Sequence, residues 1–391
     1  MKEIKPLTSL RSLAAIVVFM YHYAWLLSPG FRGVEFSGEW IPLMFMWRQG
    51  QVGVSIFFVL SGFLITRIYF DGIADRTTTL RLFFVKRIAR IWPLFLVFAI
   101  IQHAVEYIAG RGAGSTALVT MTMSQGFFEG LRYSGLRTAW SLTIEETFYA
   151  FAPVLFLVLA ALTLERGRRG EPLTAGRFFR VALVVGLVAV VLAGCGEGLV
   201  RLANLRGWTW NGFMASRRHM LHSTLFGRFP EFALGILAAF LHRGLDLNHV
   251  FRGRRAGVVV GVTSLGIIAC MWGKDYLAVN TPGKELALSY LLAYVLALLA
   301  AVMILALTVV RGPVERLLSH RAMVYHGKIS YGFYLIQGTV MMTPLVALTD
   351  RLGYFRMPVL FVLTSLVCAA FYEIVEAPSR RAIVVRWGRA R

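Results

Sequence analysis

Long apolar runs alternate along this chain with short polar and basic segments. A helix that crosses a bilayer needs about 20 mainly apolar residues, and ten runs approach or exceed that length. They cover residues 9–27, 51–70, 83–109, 138–162, 180–200, 223–242, 256–273, 286–310, 329–349 and 357–375. A further apolar stretch, 115–128, is too short to cross, which predicts a re-entrant or interfacial segment. The pattern therefore predicts an all-α fold, a polytopic transmembrane helical bundle of about ten spans.

Composition supports burial in a bilayer. Of the 391 residues, 57% are hydrophobic and 16% are charged, whereas soluble domains have about 45–50% apolar and about 25% charged residues. No linker-like segment divides the chain, so we expect one membrane domain over 1–391, with a basic tail at 376–391. The three cysteines share no metal-ligand spacing, so no metal centre is predicted.

The net charge of +21 has a topological explanation. The basic segments, among them 165–177 and 252–255, lie between apolar runs and carry no nucleic-acid recognition motif, so we expect no nucleic-acid partner. With a cytoplasmic N-terminus, 27 of the Lys and Arg residues fall toward the inner side and 14 toward the outer side. This bias and the even number of spans predict that both termini are cytoplasmic.

Ionisable residues inside the first span are candidates for function, because a charge at membrane depth is costly. Arg11 and His22 are eleven residues apart, which places them on one helix face about 16 Å apart. They would then line one passage. The alternative is an arginine whose head group reaches the interface and a histidine bonded to a neighbouring helix.

A second basic cluster enters the third span. Arg87 and Arg90 are three residues apart and share a helix face with Lys86. Paired guanidinium groups are suited to bidentate phosphate recognition. Ordinary anchoring at the cytoplasmic face is the alternative.

A third group lies toward the predicted outer side. Glu145 and Tyr149 are four residues apart in the fourth span, which begins near Trp140. Arg228 and Glu231 are three apart in the sixth span. These pairs would either bind a polar substrate or hold the bundle together through ion pairs and hydrogen bonds.

Seven segments together resemble acyltransferase family 3, a large group of membrane O-acyltransferases. They occur in the family's order and extend from the first span to the last. The segments are 10-LRSLAAIVVFMYH-22, 53-GVSIFFVLSGFLI-65, 87-RIARIWPLF-95, 140-WSLTIEETFY-149, 229-FPEFALGILA-238, 329-ISYGFYLI-336 and 376-EAP-378. Each segment is weak evidence alone, but seven in order make a specific match.

The resemblance implies an enzyme of the bacterial cytoplasmic (inner) membrane. The expected donor is acyl-CoA, with acetyl-CoA the commonest, reached from the cytoplasm, and no cofactor is permanently bound. The expected acceptor is a hydroxyl of a carbohydrate or glycoconjugate on the outer side. The sequence shows no fused serine-esterase pattern, so the resemblance is to stand-alone members that transfer the acyl group themselves.

The family's motifs also imply roles for single residues. Its arginine and histidine eleven residues apart fall on Arg11 and His22, and its arginine pair falls on Arg87 and Arg90. Its Trp-Ser-Leu glutamate falls on Glu145. We therefore predict that His22 is the general base, with Glu145 as the second catalytic residue, and that the three arginines bind the CoA phosphates.

The predicted acceptor site is formed by four residues: Tyr149, Trp140, Arg228 and Glu231. Two positions depart from the family. Gln337 stands where many members have histidine, so this position does not titrate here. Thr8 and Ser9 stand where many members have Asp-Gly.

Two other classes of membrane protein also carry charges in their spans. A proton-coupled transporter would show repeated halves and unwound helix pairs, and the sequence has no internal repeat. A polysaccharide polymerase or flippase is the other alternative. The sequence leaves open the identities of the acyl group and acceptor, a direct or covalent transfer, and the oligomeric state.

Overall fold

The computed structural model describes residues 3–27, 48–110, 114–163, 174–208, 210–251, 254–280 and 286–388. Parts of three predicted basic segments lie outside the described residues. These parts are 165–173, 252–253 and 389–391.

Almost all described residues with regular structure are helical. The helices in chain order are α1 (Lys5–Tyr23), α2 (Val52–Ala74), α3 (Leu80–Ile108), α4 (Gly114–Met121), α5 (Trp140–Thr163), α6 (Ala175–Leu205), α7 (Arg217–Ser223), α8 (Leu225–Gly244), α9 (Leu247–Val250), α10 (Arg255–Asn280), α11 (Leu286–Val309), α12 (Pro313–Leu318), α13 (Arg321–Ile336), α14 (Met342–Ala347), α15 (Arg356–Phe371) and α16 (Ala377–Trp387). Within the described ranges there is no strand, which confirms the predicted all-α class.

Local sequence explains where several helices begin. Pro6 occupies the first turn of α1, where its missing N–H and fixed φ are tolerated. The hydroxyl of Thr79 accepts a hydrogen bond from the Leu82 N–H and caps α3. Thr174 caps α6 in the same way. Such side-chain caps satisfy backbone donors that a helix start leaves open.

Nine helical segments in the described part of the chain are long and apolar enough to cross a membrane. They are Lys5–Leu26, Val52–Ala74, Leu80–Ile108, Trp140–Leu162, Ala175–Leu205, Arg217–Gly244, Arg255–Ala278, Leu288–Val309 and Gly353–Trp387. The predicted polytopic helical bundle is thereby confirmed.

The remaining predicted span, 329–349, is not one continuous helix. Helix α13 ends at Ile336 and α14 begins only at Met342. Within the interruption, Gln102 accepts a hydrogen bond from the Val340 N–H at 2.8 Å, and the Gly338 carbonyl accepts one from the Arg137 N–H at 3.0 Å. Irregular backbone at membrane depth is tolerated where protein groups satisfy its polar atoms, as here.

The stretch 115–128 also forms no single helix. Helix α4 has eight residues, about 12 Å of length, and a 3₁₀ turn follows at Gln125–Phe127. A helix of this length is too short to cross the hydrocarbon core of a bilayer.

The C-terminal region continues the last span further than the hydropathy pattern indicated. A π-helical turn, Tyr372–Glu376, joins α15 to α16. Pro378 lies in the first turn of α16, where proline is compatible with a helix. Most of the predicted basic tail, 376–391, is therefore helical, and α16 packs against α3.

The chain divides into two compact units. Unit one comprises Met1–Leu60, Asp246–Gln337 and Met342–Cys368. Within it, α1 packs along α13, and Gly327 allows the close approach, since a Cβ there would lie 2.0 Å from the Thr8 carbonyl oxygen. Phe19, Phe333 and Phe361 form its aromatic centre, with ring centroids 5.3–5.6 Å apart.

Unit two comprises Ser61–Leu245, Gly338–Met341 and Ala369–Arg391. Its core contains Phe148 stacked on Phe232, with ring centroids 4.2 Å apart. Both rings are fully buried. This pair joins α5 to α8, the two helices that carry the predicted outer carboxylates.

Candidate active site

Unit one carries the predicted base and one of the predicted donor-binding arginines. His22 lies in the last turn of α1 and Arg11 lies three turns earlier on the same helix. Both side chains are half-buried. The His22 Nδ1 atom lies 2.8 Å from Gln337 Oε1. The residue that replaces the family's histidine therefore contacts the predicted base directly.

Gln337 is the C-cap residue that follows helix α13, and α1 completes the hydrogen bonding there. The Tyr23 hydroxyl donates to the Gln337 backbone carbonyl at 2.9 Å. The Gln337 side-chain Nε2 donates to the Phe333 carbonyl at 2.9 Å. The side chain of Gln337 is thus held at both its nitrogen and its oxygen.

Unit two contains a basic cavity of about 410 Å³. Five cationic side chains line it, together with one carboxylate, two tyrosines and two aliphatic residues: Lys86, Arg87, Arg90, Arg380, Arg381, Glu376, Tyr69, Tyr372, Ala377 and Val384. Its volume falls within the range of about 300–1,000 Å³ usual for small-molecule sites. The excess of positive charge favours an anionic ligand.

Helices α3 and α16 carry all five cations of this cavity. Sequence reasoning identified Arg87 and Arg90 on α3 but assigned Arg380 and Arg381 to a basic tail. The sequence signal that could have identified them is their position two and three residues after the family's Glu-Ala-Pro segment, 376–378. A solvated charge run and a cavity wall look alike in sequence until the packing of the helix is known.

Arg87 connects the basic cavity to the carboxylate cluster of α5. Its guanidinium donates to the Tyr69 hydroxyl at 3.0 Å. It also lies 5.2 Å from the Tyr69 ring centroid and 5.5 Å from the Tyr149 ring centroid, within cation–π range. Tyr149 in turn donates a hydrogen bond to Glu145 Oε1.

The predicted pair Glu145 and Tyr149 is hydrogen-bonded, and a third residue joins it. The Ser61 hydroxyl donates to the same Glu145 oxygen at 2.7 Å. The neighbouring Glu146 lies 3.5 Å from the Trp92 indole nitrogen. Two hydroxyl donors stabilise negative charge on Glu145 and hold the carboxylate in one position.

Of the four residues predicted to bind the acceptor, the structure brings Arg228 and Glu231 into contact with each other. Trp140 packs against the Arg132 guanidinium, 4.6 Å from the ring centroid, and against His222 at 5.4 Å. Arg228 Nε lies 2.8 Å from Glu231 Oε2, and both side chains are largely buried. This ion pair occupies the charges of both residues, which favours a role in holding the helix.

Comparisons with known proteins identify the family of the chain. The model of the acyltransferase 3 family, described as an acyltransferase domain, matches residues 5–380. A candidate peptidoglycan O-acetyltransferase of Bacillus subtilis is 26% identical over 303 residues, 69% of this chain and 43% of that protein. The peptidoglycan O-acetyltransferase of Listeria monocytogenes is 28% identical over 173 residues, 40% of this chain and 25% of that protein.

A candidate O-acetyltransferase of Staphylococcus aureus is 26% identical over 180 residues, 42% of this chain and 26% of that protein. The aligned regions span less than half the length of these relatives. No solved structure matches the chain at a significant level. Because the family model covers nearly all of the sequence, the chain belongs to acyltransferase family 3.

Proposed function

We propose that this protein is a membrane O-acetyltransferase that moves an acetyl group from cytoplasmic acetyl-CoA to a hydroxyl of a cell-wall carbohydrate outside the cytoplasmic membrane. The observation that carries the proposal is the cavity lined by five cations, four of which lie within the matched acyltransferase domain. The phosphates of a CoA donor are ligands of the required charge. The relatives from Bacillus and Listeria bear the name peptidoglycan O-acetyltransferase, which makes peptidoglycan the first acceptor to test.

Binding of the donor is assigned to the two helices of the cavity. Arg87 and Arg90 on α3 and Arg380 on α16 offer planar guanidinium groups that pair with phosphate oxygens in two-pronged fashion. Lys86 and Arg381 add charge at the same cavity. Arg11 is the further donor-binding residue that the family motif implies.

The reaction itself needs a base and an acid. His22 removes the proton of the acceptor hydroxyl as its oxygen attacks the carbonyl carbon of the thioester. The C–S bond breaks as the new C–O ester bond forms, and the proton held by His22 passes to the departing sulfur of CoA. Glu145, held by Ser61 and Tyr149, is the second catalytic residue that the family motif implies.

Acetyl transfer by the purified protein tests this proposal. The protein is reconstituted in liposomes with radiolabelled acetyl-CoA on one side and soluble peptidoglycan fragments on the other. We expect labelled fragments with the wild type, and a loss of about 10²–10⁴-fold for His22→Ala, the usual cost of removing a general base. A matched histidine control, His249→Ala on the exposed helix α9, should retain wild-type transfer. Transfer by His22→Ala above about a tenth of the wild-type rate would exclude His22 as the base.

A further inference from the structure

The hydrogen bonds of Gln337 determine which nitrogen of His22 carries a proton in the neutral ring. The side-chain amide has one donor end and one acceptor end. Its Nε2 donates to the Phe333 carbonyl, which can only accept. The oxygen is therefore the end that faces His22 Nδ1, at 2.8 Å.

An amide oxygen accepts hydrogen bonds and donates none. The His22 Nδ1 must then be the protonated nitrogen, and the lone pair of the neutral imidazole lies on Nε2. The lone pair is what abstracts a proton, so this contact selects the basic atom of the ring.

Gln337 is also held independently of its contact with His22. It terminates α13, where the Tyr23 hydroxyl binds its carbonyl. Its side chain is buried, with 7% of the residue exposed. The acceptor is therefore positioned by the end of α13 and by α1 before a substrate arrives.

The neutrality of this acceptor has a chemical consequence. A carboxylate at the same place would attract the imidazolium form and delay its loss of a proton as the pH rises. An amide fixes the tautomer without supplying a negative charge.

We propose that Gln337 is the positioning residue of His22, which holds the ring in the Nδ1–H tautomer and leaves Nε2 as the base. This inference rests on the proposed function, because it assigns a role within that reaction. Gln337 acts through His22 and is not itself assigned a contact with substrate.

Two substitutions and one control test the inference in the liposome assay. Gln337→Leu removes the acceptor, so we expect kcat to fall at least tenfold, since loss of the orienting partner of a catalytic histidine lowers kcat strongly. The KM for acetyl-CoA should remain unchanged. Gln337→Glu keeps an acceptor of the same size, so we expect substantial activity, with the acid limb of the kcat/KM profile moved to higher pH. Tyr23→Phe removes a hydrogen bond from the same residue's backbone and should leave the pH profile in place.

The outcomes separate this inference from the proposed function. An inactive His22→Ala protein combined with an unshifted profile for Gln337→Glu would overturn the positioning role and leave the base assignment intact. A shift of equal size in Tyr23→Phe would assign the effect to the helix end and would also overturn it. An active His22→Ala protein would remove the proposed base itself.

Discussion

At the scale of single residues, Arg87 connects two of the predicted sites. It lines the basic cavity and also lies against Tyr149, the hydrogen-bond donor of Glu145. A ligand anion at Arg87 is thus one side chain away from the carboxylate cluster of α5. The motifs predicted the residue types at these positions, but the link through Tyr69 and Tyr149 depends on the packing of α2, α3 and α5.

Substitution of Glu231 distinguishes two roles of its ion pair with Arg228, a structural role in the helix bundle and a role in binding the substrate. Breaking a largely buried pair costs about 3–5 kcal/mol, so Glu231→Ala should lower the melting temperature of the detergent-solubilised protein clearly. Glu197→Ala is the control, because it pairs with the exposed arginines Arg201 and Arg217, and surface pairs contribute about 0–1 kcal/mol. An unchanged melting temperature for Glu231→Ala, with weakened acceptor binding, would support the predicted substrate-binding role instead.

At the scale of helices, apolar run length predicted most spans but not the interruption of 329–349. That stretch remains apolar on average, and a hydropathy pattern does not register where a helix stops inside it. Residues distant in sequence complete the hydrogen bonding of this interruption: Tyr23 donates to the Gln337 carbonyl, and Gln102 accepts from the Val340 N–H. The π-helical turn before α16 was not predicted either, because the hydropathy pattern around it is that of a continuous helix.

The crossing of α1 and α13 predicts a specific sensitivity to side-chain volume. A Cβ at position 327 would lie 2.0 Å from the Thr8 carbonyl oxygen, so Gly327→Ala must separate the two helices. Overpacking of this kind costs about 1–3 kcal/mol, and we expect a lower melting temperature. Gly186→Ala on α6 is the matched control, because nothing lies within 4 Å of its added Cβ. Equal melting temperatures for the two variants would contradict the close crossing.

At the scale of the whole molecule, charge and hydropathy predicted a polytopic bundle, and the helices confirm it. The predicted sidedness has a separate basis, the 27-to-14 distribution of Lys and Arg. The cavity that we assign to a cytoplasmic donor contains Arg87 and Arg90, at the end of the third span that this distribution places inside. Sidedness and donor binding are therefore linked predictions.

A topology reporter examines the sidedness directly. A reporter active only in the cytoplasm, fused after the last residue of the sequence, Arg391, should be active, because an even number of crossings returns the chain to the side of its N-terminus. The predicted number of crossings depends most on the interrupted segment α13–α14, because it is predicted to cross the membrane although it is not one continuous helix. A reporter active only outside the cytoplasm would mean that the number of crossings is odd and that the cavity's assigned side is wrong.

The most direct test of the central claim is the affinity for acetyl-CoA of protein with one cavity arginine changed to lysine. Arg90→Lys keeps the positive charge but loses the planar fork that grips phosphate. The control is Arg81→Lys, on the same helix α3 but exposed and outside the cavity. Loss of one charge-assisted contact is worth about 1.5–3 kcal/mol. We therefore expect the acetyl-CoA Kd to rise about tenfold or more for Arg90→Lys, while Arg81→Lys and the acceptor affinity stay at wild-type values. An unchanged acetyl-CoA Kd for Arg90→Lys would indicate that this arginine only anchors the helix at the cytoplasmic face, and it would contradict the proposed donor site.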